Sequence, residues 1–180
     1  MEWSDTLMRL MTGTGETLQM TFVSAAFVVL GGVPLGVLLV ATSKGGFWER
    51  PVLNLVLGTL VNILRSAPFV ILMVALMPLT RAIVGTSIGT RAAIVPLVVA
   101  AVPFMGRVVE QSLREVDPGL IEAAMAMGST NWQLIYKVLI PEALPSLVRG
   151  TALMIINLIG LGAMAGALGA GGLGDLAVKY

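Results

Sequence analysis

Four stretches of this chain carry almost no charge, and each is long enough to matter to a lipid bilayer. They are Thr17–Ser43, Val52–Thr80 with Arg65 as its one charge, Ile88–Val109 with Arg91 and Arg107 near its ends, and Gly150–Gly174. About 20 mostly apolar residues carry a helix across the hydrocarbon core, and in that medium backbone N–H and C=O groups must be paired inside the protein, which helices achieve by themselves. Of the 180 residues, 57% are hydrophobic and 12% charged, with a mean hydropathy of +0.94, beyond the apolar share of ordinary soluble domains. The sequence predicts an all-α, multi-pass integral membrane protein in contact with lipid, a single transmembrane domain over residues 1–180 with four visible spans.

The same composition closes off several kinds of chemistry. There is no cysteine and no histidine, which removes disulfides, thiolate nucleophiles, the usual zinc sites and imidazole-based triads. Neither a catalytic residue nor a bound metal is expected. A net charge of +1 with scattered basic residues argues against nucleic acid as a partner, since phosphate binding needs clustered Lys and Arg. No G-x-x-x-x-G-K-[ST] run occurs, so any ATP that drives this protein binds to another subunit. The first 16 residues hold Glu2, Asp5 and Glu16 against Arg9 alone, which is the wrong charge pattern for a cleaved signal and predicts a retained first span.

Lys44 and Arg50 follow the first apolar run, and Arg107, Arg114, Lys137 and Arg149 lie between the third and fourth; Arg9, Arg81, Arg91 and Lys179 lie on the other side. Since Lys and Arg accumulate in cytoplasmic loops, the N-terminus is expected outside and the segment around residues 117–141 in the cytoplasm. Pro34, Pro68, Pro96 and Pro103 interrupt the runs. They fit either broken helices around a substrate path or ordinary kinked spans. Arg65, three residues before Pro68, is either a functional charge within the membrane or a side chain that snorkels to the headgroups. Gly162-x-x-x-Gly166 predicts close helix packing. Gly169-x-Gly171-x-x-Gly174 has the letters of a dinucleotide fingerprint but closes an apolar run instead of joining strand to helix. The eleven methionines are ordinary fillers of apolar packing.

The polar segment EAAMAMGSTNWQLIYKVLIPEALP, residues 122–145, interrupts this pattern. Ahead of it, Asp117-Pro118 is a helix start, with Asp as N-cap and Pro at the first helical position, and Leu120, Ile121, Ala124 and Met127 then share a face. Gly128 suits the left-handed residue that ends a helix. Thr130-Asn131-Trp132-Gln133 has the form of a capping box, followed by a second helix with Trp132, Ile135, Tyr136 and Leu139 on one side, stopping near Pro141. Helices this short are marginal alone, and Lys137 is the one basic residue between Gly119 and Val148, where a helix lying on lipid carries several. The segment is therefore expected to dock on protein. Glu110 and Arg114 are spaced i,i+4 and read as a solvated helix face.

On these residues the sequence resembles the membrane subunits of binding-protein-dependent ABC importers. Their signature is E-A-A, three residues, Gly, nine residues, then I-x-L-P. Here Glu122, Ala123 and Ala124 lead at that spacing to Gly128, and nine further residues lead to Val138-Leu139-Ile140-Pro141, with Val for Ile and Ile for Leu. Arg65-Ser66-x-Pro68 looks like the R-[SG]-x-P run of amino-acid importer permeases, and the stretch LRSAPFVILMVALMPLTRAIVGTSIG and the Gly-rich end GAGGLGDL are similar to the permeases of methionine importers. The resemblance implies a type I ABC importer permease fold of five spans with cytoplasmic coupling helices, of which this chain shows four, the last following the Gly-rich region being absent. It implies that Glu122, Ala123, Ala124, Gly128, Ile140 and Pro141 couple to an ATPase. It further implies a homodimer in a bacterial inner membrane, two copies of an ABC ATPase subunit that bind the ATP and Mg, and an external methionine-binding lipoprotein, with D- or L-methionine as cargo. An importer of another amino acid or small solute, and an ATP-independent channel or secondary transporter, stand as alternatives.

Overall fold

The computed structural model describes residues 3–179, and all regular structure among them is helical. In chain order the helices are α1 (Trp3–Thr42), α2 (Pro51–Ser66), α3 (Phe69–Ala75), α4 (Met77–Val84), α5 (Thr90–Arg114), α6 (Pro118–Ala126), α7 (Asn131–Gln133), α8 (Ile140–Ala165) and α9 (Gly172–Lys179). A π-helical turn, Leu134–Leu139, joins α7 to α8, and a second, Gly166–Ala170, extends α8, so that Asn131–Ala170 is one helical run of 40 residues. Three elements are long and apolar enough to cross a membrane: α1, α5 and this run. The pair α2 and α3 passes the same test together but is bent by 104° at the break.

Three of the four prolines lie inside continuous helix, Pro34 in α1 and Pro96 and Pro103 in α5. Pro68 alone stands at a break. It precedes α3 with φ −58° and ψ 132°, and its ring disfavours helical geometry at the residue before it. The first helix begins at Trp3, well before the apolar run that starts at Thr17. Its early polar residues are absorbed locally: the hydroxyls of Thr12, Thr14 and Thr17 donate to carbonyls four residues back at 2.9, 2.7 and 2.9 Å, which lets them stay in the helix.

The chain divides into two compact units, one formed by Val29–Arg65 and Val102–Leu153, the other by the segments up to Val28, from Ser66 to Ala101, and from Met154 onward. In the first, α1 and α5 meet through glycine. A Cβ built on Gly32 would lie 2.5 Å from Cβ of Met105, and one on Gly36 would lie 2.5 Å from Cβ of Val109 and 2.7 Å from the Gly106 carbonyl oxygen. Gly32-x-x-x-Gly36 thus brings the two backbones together as small residues do in membrane helices. Asn54 of α2 donates to the Leu39 carbonyl at 2.7 Å and to Thr42 Oγ1 at 3.1 Å. It thereby occupies one of the carbonyls that the last turn of α1 leaves without a helical partner.

Glu110 is buried, 8% exposed, and corrects the reading of this stretch as a solvated face. Its carboxylate accepts from Arg107 Nη1 at 2.6 Å and from Arg114 Nη2 at 3.0 Å. Arg107 also donates to the Gly58 carbonyl at 3.2 Å and to Asn62 Oδ1 at 3.0 Å, tying α5 to α2. The i,i+4 pair exists, with Arg114 exposed, but Glu110 is shared with Arg107, which is tied to α2. A one-sided helical wheel cannot show such a neighbour.

In the second unit Met20, Leu97, Met154 and Leu158 are fully buried. The Gly-rich segment is a turn: Gly169, Gly171 and Gly172 have φ of +95°, +86° and +75°, values that favour glycine, and α9 folds back over the end of α8. Gly166 makes the close approach there, since its added Cβ would lie 2.7 Å from the Gly171 carbonyl oxygen and 2.8 Å from Cα of Gly174. Gly162 has nothing within 4 Å of such an atom. Of the pair Gly162 and Gly166, Gly166 therefore makes the close approach, against the turn that brings in Gly174, and Gly162 makes none among the described residues. The opening of α9 is held from α1, where Glu16 Oε2 accepts the Gly172 N–H at 2.6 Å and Thr17 Oγ1 accepts that of Leu173 at 3.0 Å.

Replacing Gly36 by Ala forces overpacking against α5, a change that typically costs about 1–3 kcal/mol. It is expected to lower the thermal midpoint of the detergent-solubilised protein, whereas Gly160→Ala, at an exposed helical site with nothing within 4 Å, should hold or raise it. An unchanged midpoint for Gly36→Ala would contradict the close crossing. Glu16→Ala removes the acceptor at the start of α9, comparable to the loss of a helix cap at roughly 0.5–2 kcal/mol. Hydrogen exchange at the amides of Gly172 and Leu173 should quicken while that of α5 stays constant.

Candidate docking surface

Asp117 caps α6, its Oδ1 accepting the Gly119 N–H at 2.7 Å, with Pro118 as the first helical residue. At the other end the Ser129 N–H donates to the Ala124 carbonyl at 3.1 Å and the Gly128 N–H to that of Met125 at 3.0 Å. With Gly128 at φ +79°, this is a Schellman closure, in which a left-handed residue lets two late carbonyls be satisfied. The next helix opens two residues later with both halves of a capping box: Thr130 Oγ1 accepts from the Gln133 N–H at 3.3 Å and Gln133 Oε1 from the Thr130 N–H at 2.9 Å. The turn is thus tied off on both sides by hydrogen bonds local in sequence.

The second helix does not stop near Pro141. From Gln133 it passes into the π turn, where the Ile140 N–H donates to the Ile135 carbonyl, five residues back, and then into α8 with Pro141 and Pro145 inside the same helical run. Near its start a helix tolerates proline because the missing N–H has no helical partner to lose. The wider π turn changes the pairing ahead of Pro141 in a comparable way. Ile140 is half-buried and Pro141 exposed.

Burial separates the residues expected to share a face. On α6, Ala124 is buried at 3% and Ile121 half-buried, while Glu122, Ala123, Leu120 and Met127 face outward, Met127 at 81% exposure. Beyond the turn, Leu134, Ile135 and Leu139 are buried and Trp132 and Tyr136 exposed. The start of this helix rests on the loop after α1: the Trp132 and Trp48 rings meet edge-on at 5.6 Å, and Asn131 Nδ2 donates to the Phe47 carbonyl at 3.4 Å. This supporting loop was not singled out in the sequence; its cue was a Phe-Trp pair in an otherwise polar connection. The outcome is a fixed turn that presents Glu122, Met127, Trp132 and Tyr136 outward.

The other sequence candidates lie away from this turn. Arg65 is exposed in the last turn of α2, where a cation complements the helix C-terminus, and Pro68 marks the bend before α3. The partly buried arginine with several partners is Arg107, which nothing in the residue pattern separates from the other loop charges. Among the described residues, no group of three or more His, Cys, Asp and Glu side chains is placed to hold a metal ion.

Residues 32–179 match the family model of the binding-protein-dependent transport system inner membrane component. The probable D-methionine transport system permease protein MetI of Vibrio cholerae is 50% identical over 171 residues, 95% of this chain and 76% of the relative. The D-methionine transport system permease protein MetI of Escherichia coli K12 is 52% identical over 157 residues, 87% of this chain and 72% of the relative. A chain of the MetNI methionine ABC transporter, solved in an inward facing conformation, superposes with a TM-score of 0.97 at 50% identity, covering 100% of this chain and 83% of that one. An amino acid ABC transporter solved with histidines shares the fold at a TM-score of 0.77 and 21% identity. The spacing from Glu122 to Pro141, the helical architecture and the match across residues 32–179 agree, and the chain belongs to the binding-protein-dependent transport system inner membrane components.

Proposed function

We propose that this chain is the permease subunit of an ATP-driven importer that carries methionine across the inner membrane and has no ATPase site of its own. The reading is supported most directly by the α6–α7 turn, whose backbone is fixed by a Schellman closure and a capping box while Met127, Trp132 and Tyr136 face outward. Exposed aromatic and methionine side chains on a rigid turn suit insertion into a groove of a partner. The partner is an ABC ATPase subunit in two copies, which binds the ATP and Mg. The turn then lies in the cytoplasm, the permease pairs with a second copy of itself, and an external binding lipoprotein delivers the methionine. The likeness to D-methionine permeases at about half identity supports the substrate.

Mechanically, the helix that begins at the turn runs without a loop into α8. When ATP closes the ATPase dimer, the two coupling turns draw together, and a displacement at Trp132 is handed along continuous backbone to a membrane helix. The transporter thereby changes the side on which its path is open. Glu122, Ala123 and Ala124 form the outer and inner faces of the docking helix, Gly128 sets its turn, and Ile140 and Pro141 begin the helix that receives the motion.

Gly128→Val tests the coupling. An added Cβ there meets nothing within 4 Å, so the cost is the left-handed backbone itself, about 1–2 kcal/mol for a side chain with a Cβ. In the assembled transporter this substitution is expected to reduce ATP-dependent methionine uptake by roughly tenfold, the equivalent of 1.4 kcal/mol, with membrane insertion unchanged. Gly128→Asn, which tolerates positive φ, should retain most of it. Equal uptake by both variants would sink the assignment. Met127→Lys tests docking separately: the residue is exposed, and a cation suits the end of α6, so folding should survive while co-purification with the ATPase subunit falls. Undiminished co-purification would place the interface elsewhere.

A further inference from the structure

Beneath α6 lies a cavity of about 350 Å³, lined by Val40, Leu113, Ile121, Met125 and Leu139 with Lys44 and Arg114 among the remaining wall residues. Its volume falls in the range of small-molecule sites, roughly 300–1,000 Å³. Two cations line it and no carboxylate does. Glu110 binds Arg114 at 3.0 Å but is shared with Arg107 at 2.6 Å, so these three side chains together carry one net positive charge. Lys44 is exposed and is offset by Glu49, whose Oε2 accepts the N–H of the wall residue Gly45 at 3.2 Å, which leaves the rim with a net charge of one positive. An apolar floor beneath a cationic rim suits an amphiphile with a negatively charged head.

Depth narrows the choice. Lys44 is the first charge after the apolar run that ends at Ser43, and Arg114 follows Val109, the end of another such run, by five residues. At 1.5 Å per residue, Arg114 lies about 7.5 Å beyond that run, and the headgroup layer outside the hydrocarbon core is about 5–8 Å thick on each side. We infer that this cavity is a binding site for one anionic phospholipid, its phosphate between Lys44 and Arg114 and its glycerol and first acyl carbons against Val40 and Leu113 at the ends of the membrane helices. Basic pockets at membrane-helix ends bind such headgroups. Because Pro118, Ile121 and Met125 of α6 form part of the wall, the bound lipid supports the docking helix from below.

The test uses the purified full chain, delipidated in neutral detergent, with phosphatidylglycerol or phosphatidylcholine of the same acyl chains added and retained lipid counted by native mass spectrometry. One phosphatidylglycerol per chain should be kept in preference to phosphatidylcholine. Lys44→Gln should weaken that retention about fivefold, the contribution of one Lys near an anionic surface, and Lys179→Gln should leave it unchanged. Equal retention of the two lipids, or wild-type retention by Lys44→Gln, overturns the site. Displacement of the lipid by free glycerol phosphate at comparable concentration also overturns it, in favour of a soluble anion. No ATPase or transport enters the measurement, so its failure is distinct from a failure of the importer reading.

Discussion

Lipid cannot satisfy a backbone amide, and this constraint governs how the chain may depart from straight helix. Two of these departures are accompanied by side-chain hydrogen bonds that replace helical ones. Where α8 gives way to α9, Glu16 and Thr17 receive the first N–H groups of the new helix, Thr90 Oγ1 donates to the Ala170 carbonyl and the Gly89 N–H to that of Gly169. Where α1 ends, Asn54 reaches the Leu39 carbonyl. At the proline break before α3, the Leu72 N–H takes the Pro68 carbonyl at 3.1 Å, so helical pairing resumes at once. A few polar side chains on apolar helices are thus explained as substitutes for the water that a soluble protein would use.

The docking turn obeys the same rule by local means. Asp117, the Schellman closure at Gly128 and the reciprocal Thr130–Gln133 pair use side chains and backbone within a few residues of one another, so the turn's shape does not depend on whatever covers Met127 and Trp132. A partner meets a surface already ordered, and preorganisation reduces the entropy lost on binding. The Trp48–Trp132 contact then secures that turn to the loop after α1 without drawing its outer residues inward.

How much of this was legible in the sequence follows the range of the interactions. The α6 cap, the left-handed Gly128 and the Thr130–Gln133 box were all readable, because each depends on residue types at fixed short offsets. The extension of the second helix past Pro141 was not readable, since a π turn leaves no distinctive composition in LIYKVL and proline ordinarily signals a stop. Packing between distant segments was readable only in kind. Small-residue spacing pointed to close crossings, yet Gly162-x-x-x-Gly166 drew attention while the same spacing at Gly32 and Gly36 makes the crossing with α5. Likewise, the Glu110–Arg114 pair is readable from its spacing, but the tie from Arg107 to α2 depends on contacts 45 and 49 residues apart in sequence.

The π turn has one more consequence, in the angular phase of the long helix. An α-helix advances about 100° per residue, and a π turn fits extra backbone into a single turn. The wider turn lets Leu134, five residues before Leu139, be buried together with Ile135, four before it, and beyond them the inward positions, Ala143, Leu147, Gly150, Met154 and Leu158, recur at three and four. LIYKVL therefore sets the phase between the docking side chains and the buried stripe of the membrane helix. A relative that gained or lost one residue there would turn its docking face by about 100° against an unaltered stripe. Single-residue changes in this short stretch offer evolution a way to re-aim the turn at a different partner while the membrane packing stays as it is.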